Sequence, residues 1–117
     1  MTFSEPIRQN IPEGQGTENS NPLSIDYHNI KKAAIVLRSL NHKLRQQIIK
    51  IIFENQRLTV TQLYVKLRLE QSVASQHLAI LRKAGVVGTE RDGKFIYYSI
   101  NTARIASIND FVNSLLG

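Results

Sequence analysis

The sequence predicts a mainly α-helical domain that carries one small β-hairpin. Apolar residues recur at intervals of three and four from residue 25 to residue 84, which is the spacing of amphipathic helices. The interval drops to two over residues 95–100, as in a β-strand, and helical spacing returns over residues 105–115. The length of 117 residues allows one domain of ordinary size. The predicted order is therefore helix, helix, helix, helix, hairpin, helix.

Residues 1–24 differ from the rest of the chain in composition. They are rich in Gly, Pro, Asn and Ser, contain few aliphatic residues, and carry one base against three acids. Such a segment cannot bury enough apolar area to offset the entropy lost on ordering. We expect a disordered leader over residues 1–24, followed by a folded domain over residues 25–117.

Four helices are predicted in the first part of the domain. The apolar face of residues 25–40, capped by Ser24 or Asp26, is formed by Tyr27, Ile30, Ala34 and Leu37. Asn41 ends this run and is expected to cap a second helix, which points Leu44, Ile48, Ile51 and Ile52 inward. Residues 56–58 are expected to be a connection. The third helix starts after a cap at Thr59 or Thr61 and buries Val60, Leu63, Tyr64 and Leu67.

The fourth helix and the hairpin follow a short turn at residues 68–70. The fourth helix is predicted over Gln71–Ala84, with Gly85 as its stop, and its buried stripe consists of Ala74, His77, Leu78 and Leu81. Asp92–Gly93 predicts a tight hairpin between strands at residues 86–91 and 95–100. The last helix, capped at Asn101 or Thr102, buries Ile105, Ile108, Val112 and Leu115. A helix pair followed by a hairpin is the winged helix-turn-helix arrangement.

Residues 58–100 resemble the DNA-binding core of the ArsR/SmtB family of bacterial winged-helix repressors. The segment SQHLAILRKAGVV (residues 75–87) carries most of the resemblance, followed by DGKFIYYSI (residues 92–100). With the flanking helices, the resemblance covers roughly residues 25–116. The chain departs from the family pattern at Arg68, where the turn usually has Gly, and at Glu70, where the fourth helix usually has a Ser cap. We expect these departures to affect affinity for DNA more than the fold.

The charge distribution and the resemblance together predict a protein that binds double-stranded DNA. The net charge is +6, and residues 31–50 carry six bases and no acid. The fourth helix presents a small polar face that suits a major groove about 12 Å wide, and the hairpin can reach the adjacent minor groove. The predicted DNA-binding residues are Gln71, Ser72, Ser75, Gln76, Ala79, Arg82, Lys83, Arg91 and Lys94. More weakly predicted backbone contacts are Lys31, Lys32, Lys43 and Arg45.

The resemblance also implies a homodimer that binds a palindromic operator. In the family the first and last helices pair across a two-fold axis, which predicts an interface formed by Tyr27, Ile30, Ala34, Leu37, Ile105, Ile108, Val112 and Leu115. The other interpretation is that these residues only complete the core of one protomer. The resulting prediction is a transcriptional regulator, specifically a repressor, whose small-molecule effector the sequence does not identify.

Several other functions are not favoured by the sequence. Many resembled proteins hold metal with two cysteines at the start of the third helix, but this chain has no Cys and places threonines there. The family's other metal site uses Asp, His and Glu on the last helix, where this chain offers only Asp110. We therefore expect no metal and no cofactor. The sequence has no phosphate-loop, nucleophile or metalloprotease motif, so we expect no enzymatic activity.

Two alternatives to a DNA-binding regulator remain open from the sequence. The first is a winged-helix module that binds other proteins and never DNA. The second is an RNA-binding domain, although the chain lacks the aromatic platform that single-strand readers use. No apolar run approaches the ~18 residues that a membrane span needs, and residues 1–24 do not resemble a signal peptide. We expect a soluble cytoplasmic protein without a membrane partner.

Overall fold

A computed structural model describes residues 23–117, so the predicted disordered leader lies almost entirely outside the described residues. The chain divides into two compact units, with the boundary between Ile30 and Lys31. In the described part of the first unit, Asp26 Oδ1 accepts a hydrogen bond from the Asn29 amide at 3.1 Å. Asp26, rather than Ser24, therefore caps the helix that begins at Tyr27.

The described residues form the five predicted helices and the predicted hairpin, together with one further short strand. The elements of the chain are α1 (Tyr27–Leu40), α2 (Lys43–Glu54), β1 (Leu58–Thr59), α3 (Val60–Leu67), α4 (Gln71–Lys83), β2 (Val87–Asp92), β3 (Phe95–Ile100) and α5 (Thr102–Leu116). The mainly helical winged helix-turn-helix fold is thus confirmed. No helix within residues 23–117 is long and apolar enough to cross a membrane.

Side chains at the helix starts explain most of the helix boundaries. Thr59 and Gln62 form a reciprocal capping box at α3, with hydrogen bonds of 3.1 and 2.9 Å. Asn101 Oδ1 accepts from the amide of Arg104 at α5. The predicted Asn41 cap of α2 is wrong, because His42 Nδ1 accepts from the Arg45 amide at 3.4 Å instead.

The sheet has three strands rather than the predicted two. Its order is β1-β3-β2 with antiparallel pairing, and Leu58 and Thr59 of β1 pair with Tyr98 and Tyr97 of β3. The prediction of a plain connection at residues 56–58 is therefore wrong at Leu58. Two residues are too few to produce a recognisable alternation of apolar and polar side chains. The short strand fastens the hairpin to the start of α3.

The hairpin turn lies one residue later than predicted. Asp92 pairs with Phe95, so Gly93 and Lys94 form the two-residue loop. Gly93 has a φ of +65° and Lys94 has a negative φ. This combination fits a type II′ turn, which places Gly at the first loop position, and not the type I′ turn that an Asp-Gly loop favours.

The core of the second unit holds α4 by one face only. The largest fully buried side chains come from α2, α3, α4 and the start of the hairpin: Ile48, Ile52, Leu63, Leu78, Leu81 and Val86. Ile105 and Ile108 of α5 are partly buried and pack against this cluster. These two members of the predicted dimer interface therefore also contribute to the protomer's own core.

Candidate nucleic-acid interface

Helix α4 has a buried face and a fully exposed face. Ala74, Leu78 and Leu81 are buried, with exposed fractions of 0–1%. The exposed residues include all seven residues of α4 predicted to contact DNA: Gln71, Ser72, Ser75, Gln76, Ala79, Arg82 and Lys83. Because the apolar face is fixed in the core, the polar face is presented outward as a continuous surface.

The chemistry of this exposed face is graded along the helix. Two serine hydroxyls and the Gln76 amide occupy its first half, the Ala79 methyl group follows, and two cations lie in the last turn. A glutamine amide can pair with both the donor and the acceptor of adenine, and an alanine methyl group can contact thymine. The single acid nearby is Glu70, the residue that precedes the helix. The face is thus suited to contact base edges in the middle and phosphates at the end.

The turn between α3 and α4 contains a residue in left-handed conformation. Arg68 has φ 56° and ψ 46°, as its position in the usual place of a glycine predicts. The Leu69 amide donates to the Tyr64 carbonyl at 2.9 Å, and the Arg68 amide donates to Val65 at 3.2 Å. These two bonds form a Schellman motif, which satisfies the last carbonyls of α3 and sets the direction of α4.

A buried arginine anchors the inner side of α4. Arg45 is 8% exposed, so the prediction that it contacts the DNA backbone is wrong. Its Nε donates to the Ser39 carbonyl at 2.7 Å and its Nη2 to the Arg38 carbonyl at 3.3 Å. Its Nη1 lies 3.2 Å from Nδ1 of His77 on α4. The guanidinium thereby ties the end of α1 to α4.

His77 is neutral in this arrangement. A guanidinium can only donate, so Nδ1 of His77 must carry the accepting lone pair and the ring proton resides on Nε2. The pKa of His77 is lowered from its ordinary value, first by burial and then by the nearby His42 and Arg45. The ring centroids of His42 and His77 lie 4.9 Å apart. His77 was predicted as a packed core residue, and the structure gives it this polar partner as well.

The wing, defined as β2, β3 and their loop, exposes both of its predicted DNA-binding residues. Arg91 and Lys94 are exposed. Arg91 Nη1 donates to the Gly93 carbonyl at 3.3 Å, and Lys94 Nζ lies 5.5 Å from the centroid of the Phe95 ring. Both charges therefore stay at the loop of the wing, where they can meet a nucleic-acid backbone.

Sequence reasoning missed the role of Arg57 beside the wing. Its partners are Glu90 and Asp92, the two acids of the wing. Arg57 Nη2 donates to Asp92 Oδ2 at 2.9 Å, and its Nη1 lies 3.7 Å from Glu90 Oε2. Its guanidinium carbon lies 3.9 Å from the centroid of the Tyr97 ring. The only signal in the sequence is a lone base just before β1, and it does not identify these partners.

The predicted interface residues differ in exposure. Tyr27, Ile30 and Leu115 are 72%, 55% and 67% exposed, and the other five are half-buried. In the second unit, α1 and α5 border a groove of about 220 Å³, lined by Ala33, Val36, Leu37, Arg104, Ser107, Ile108 and Phe111. Most of this lining is apolar. Exposed apolar surface of this kind is typical of protein interfaces.

The described part of the chain provides no cluster of metal ligands. Within residues 23–117, no group of three or more His, Cys, Asp or Glu side chains is arranged to hold a metal ion. In the position of the family's cysteine site, Thr59 caps α3 through its hydroxyl, so that oxygen is already engaged with the Gln62 amide.

Comparison with known proteins identifies the family. Residues 42–89 match the family model described as "Bacterial regulatory protein, arsR family". The chain is 34% identical over 91 residues to the transcriptional repressor PagR of Bacillus anthracis, which covers 78% of this chain and 91% of that protein. It is 31% identical over 87 residues to the transcriptional activator HlyU of Vibrio cholerae, covering 74% of this chain and 80% of that protein.

Solved structures agree with the sequence relatives. The crystal structure of PagR superposes with a TM-score of 0.60 at 33% identity and covers 74% of this chain and 99% of that one. NolR from Sinorhizobium fredii gives a TM-score of 0.64 at 32% identity, covering 81% of this chain and 92% of that one. The residues that the family model matches, 42–89, include α3 and α4, and PagR and HlyU are named as regulators of transcription. The chain therefore belongs to the arsR family of bacterial regulatory proteins and is a transcriptional regulator.

Proposed function

We propose that this protein binds a palindromic DNA operator as a homodimer and represses transcription from the adjacent promoter. The observation that carries the proposal is the exposed polar face of α4, which is presented beside a wing that exposes Arg91 and Lys94 and is held in place from behind by the core. Since a DNA-binding regulator acts where the chromosome lies, a cytoplasmic location is part of the proposal.

In the proposed complex, α4 enters the major groove and the wing contacts the adjacent backbone. Gln76 and Ala79 occupy the centre of the exposed face of α4, where they would meet base edges. Arg82, Lys83, Arg91 and Lys94 would meet phosphates, because a cation at a phosphate gains affinity by counterion release whatever the sequence. Specificity and affinity are thus assigned to different side chains.

The first test compares two alanine variants on cognate and random duplexes. Bound genomic fragments are selected first to define the operator, and affinities are then measured by fluorescence anisotropy at several salt concentrations. Gln76→Ala is expected to lower the preference for the operator by about 1–3 kcal/mol. Lys94→Ala is expected to weaken all duplexes alike and to reduce the salt slope by about one.

Gln47→Ala is the matched control, because Gln47 is an exposed glutamine on α2 outside the proposed interface. It should leave both affinities unchanged. An equal loss on operator and random DNA for Gln76→Ala would remove Gln76 from base reading. If the wild-type protein binds no duplex better than random DNA at physiological salt, the alternative of a protein-binding winged-helix module is correct instead.

The homodimer is supported by exposed apolar residues on α1 and α5. Besides Tyr27 and Leu115, Phe111 is 48% exposed and Leu116 79% exposed. Burial of such surface against a second copy would remove it from water and place two α4 helices about a two-fold axis. Half-sites one helical turn apart would then mirror the symmetry of the protein.

Sedimentation equilibrium tests the dimer directly. Leu115→Asp is expected to shift the protein toward monomer and to weaken operator binding. The control, Val65→Asp, changes a similarly exposed residue on α3 (63% exposed) and should leave the dimer intact. A wild-type monomer at micromolar concentration, or a Leu115→Asp dimer as stable as the wild type, would contradict this part of the proposal.

Repression is proposed because PagR is named a repressor. HlyU is named an activator, so the direction of regulation needs its own test. A reporter driven by the selected operator distinguishes the two directions. Deletion of the gene should raise reporter output if the protein represses. A fall in output on deletion would assign activation.

A further inference from the structure

The acidic residues of the wing lie on the opposite face of the hairpin from Arg91. Glu90 and Asp92 are two residues apart in β2, so they share one face of the sheet, and Arg91 between them points to the other. Tyr97 is paired with Glu90 and therefore lies on the acidic face. One face of the wing would thus repel a phosphate backbone unless its charge is balanced.

Arg57, which lies outside the hairpin, offsets part of the negative charge of this face. It comes just before β1, and Thr59 of β1 pairs with Tyr97, so the strand register brings the guanidinium alongside the wing. The guanidinium is close to both carboxylates and is stacked over the Tyr97 ring. Its side chain is 38% exposed, compared with 60–62% for the two acids. The hydrogen bond that Arg57 donates to Asp92 is also the main cause of the raised pKa of Arg57.

We propose that Arg57 is a positioning residue for DNA binding: it fixes the wing and offsets one of the two negative charges of Glu90 and Asp92, so that the wing and Arg57 together carry a net positive charge toward DNA. The inference rests on the proposed DNA binding. Arg57 itself contacts no phosphate in this scheme, because its fork of donors is already directed at the two carboxylates. It thereby differs from Arg91 and Lys94, which the proposed function assigns to direct contacts.

We expect the loss of Arg57 to lower the affinity for DNA more than it lowers the stability of the fold. Exposed ion pairs contribute little to stability, so the melting temperature should hardly change. The loss of Arg57 makes the charge around the wing more negative by one unit and would oppose binding at all sequences. One unit charge about 7 Å from a phosphate in water weakens binding about threefold, and salt screening reduces this effect.

The central variant is Arg57→Met, which keeps an apolar stem over Tyr97 and removes the charge and the donors. Operator binding is expected to weaken about threefold at low salt and less at 0.15 M salt, because salt screens the repulsion. Arg57→Lys should recover part of the loss, because it restores the charge without the two-pronged geometry. Adding Glu90→Gln and Asp92→Asn to Arg57→Met should restore binding at least to the wild-type level, because this pair removes two negative charges.

A charge-matched control separates local neutralisation from a change in net charge. Glu54→Gln with Asp110→Asn removes two exposed acids outside the wing. In the Arg57→Met background, this pair should not restore binding. If it restores binding as well as the wing pair does, the guanidinium is not acting through Glu90 and Asp92.

Hydrogen exchange gives a readout that does not depend on DNA. Amides of residues 90–97 should exchange faster in Arg57→Met than in the wild type, while amides of α4 should be unaffected. Failure of the wild type to bind any operator would refute the proposed function, and exchange would still decide whether Arg57 fixes the wing. Unchanged exchange over residues 90–97 would overturn the inference.

Discussion

Replacing Glu70 tests two properties of the start of α4. The first is whether it is poorly capped, and the second is whether the Glu70 carboxylate opposes DNA binding. Glu70 already has the extended backbone of an N-cap residue, with φ −71° and ψ 147°, but its side chain makes no capping hydrogen bond. A shorter acceptor can therefore be introduced without moving the backbone. Thr59 shows the effective arrangement at α3, where its hydroxyl accepts from the Gln62 amide at 3.1 Å.

Three substitutions at Glu70 separate the cap from the charge. Glu70→Asp adds a cap and keeps the charge, so the free energy of unfolding should rise by about 1 kcal/mol. Glu70→Gln removes the charge without adding a good cap and should lose about 0.5 kcal/mol of helix-dipole stabilisation. Glu70→Ser adds the cap and removes the charge, so the free energy of unfolding should rise by about 0.5 kcal/mol. For a domain of this size, 1 kcal/mol corresponds to a melting-temperature shift of about 4–8 °C.

Affinity for DNA should follow a different order from stability. A carboxylate about 7 Å from a phosphate opposes binding by about 0.6 kcal/mol in water, which is about threefold. Glu70→Gln and Glu70→Ser should therefore bind all duplexes about three times more tightly, while Glu70→Asp should not. Thermal melts at one protein concentration and anisotropy titrations measure the two effects. The reasoning is refuted if Asp is no more stable than Gln, or if all three variants bind DNA alike.

Three further outcomes are expected. Arg68→Gly should raise the free energy of unfolding by about 0.5–1 kcal/mol, because relief of the cost of the left-handed backbone exceeds the added entropy of the unfolded chain. Arg68→Ala should give no such gain. Equal melting temperatures for the two variants would contradict this expectation. The lowered pKa of His77 means that the folded state favours the neutral ring. The contribution of His77 to the free energy of unfolding is therefore complete above the unfolded pKa of about 6.5 and is lost as the pH falls through the lower folded pKa. His77→Gln should flatten the fall in melting temperature between about pH 7 and pH 5, and a profile parallel to the wild type would count against the assignment. Micromolar Zn²⁺, Ni²⁺ or Cd²⁺ should not release the protein from its operator, and release reversed by a chelator would show a metal site that the sequence did not predict.

The parts of the fold that could be predicted from the sequence are those governed by local spacing. The buried stripe of α4 recurs at three and four residues, so its exposed face follows directly from helix geometry. Gly85, with a φ of +78°, ends the helix as its position predicts. Arg68 was placed in the turn because helical spacing stops on both sides of it.

The missed features depend on residues that are far apart in the sequence. Arg57 and Asp92 are separated by 35 positions and meet only because β1 joins the sheet. Arg45 and His77 are separated by 32 positions and meet across the core. No local periodicity encodes such pairs, and a two-residue strand gives no alternation to detect. Both faces of α4 were therefore predictable, but the contacts of Arg45 with α4 and of Arg57 with the wing were not.

Because β1 is short, the part of the wing next to α3 is supported by β1, and the part near the loop is not. Among the described residues, β1 pairs with Tyr97 and Tyr98 alone, so β3 is bonded on both sides there and on one side beyond. Phe95 and Ile96 extend the hairpin by about 7 Å past this double bonding. Beyond Tyr97, Asp92 is held by Arg57, so bending of the hairpin there breaks this contact but leaves Thr59, from which α3 begins, in place. Operators with grooves of different width could then be followed by flexing the last few residues, while the helix pair keeps its orientation.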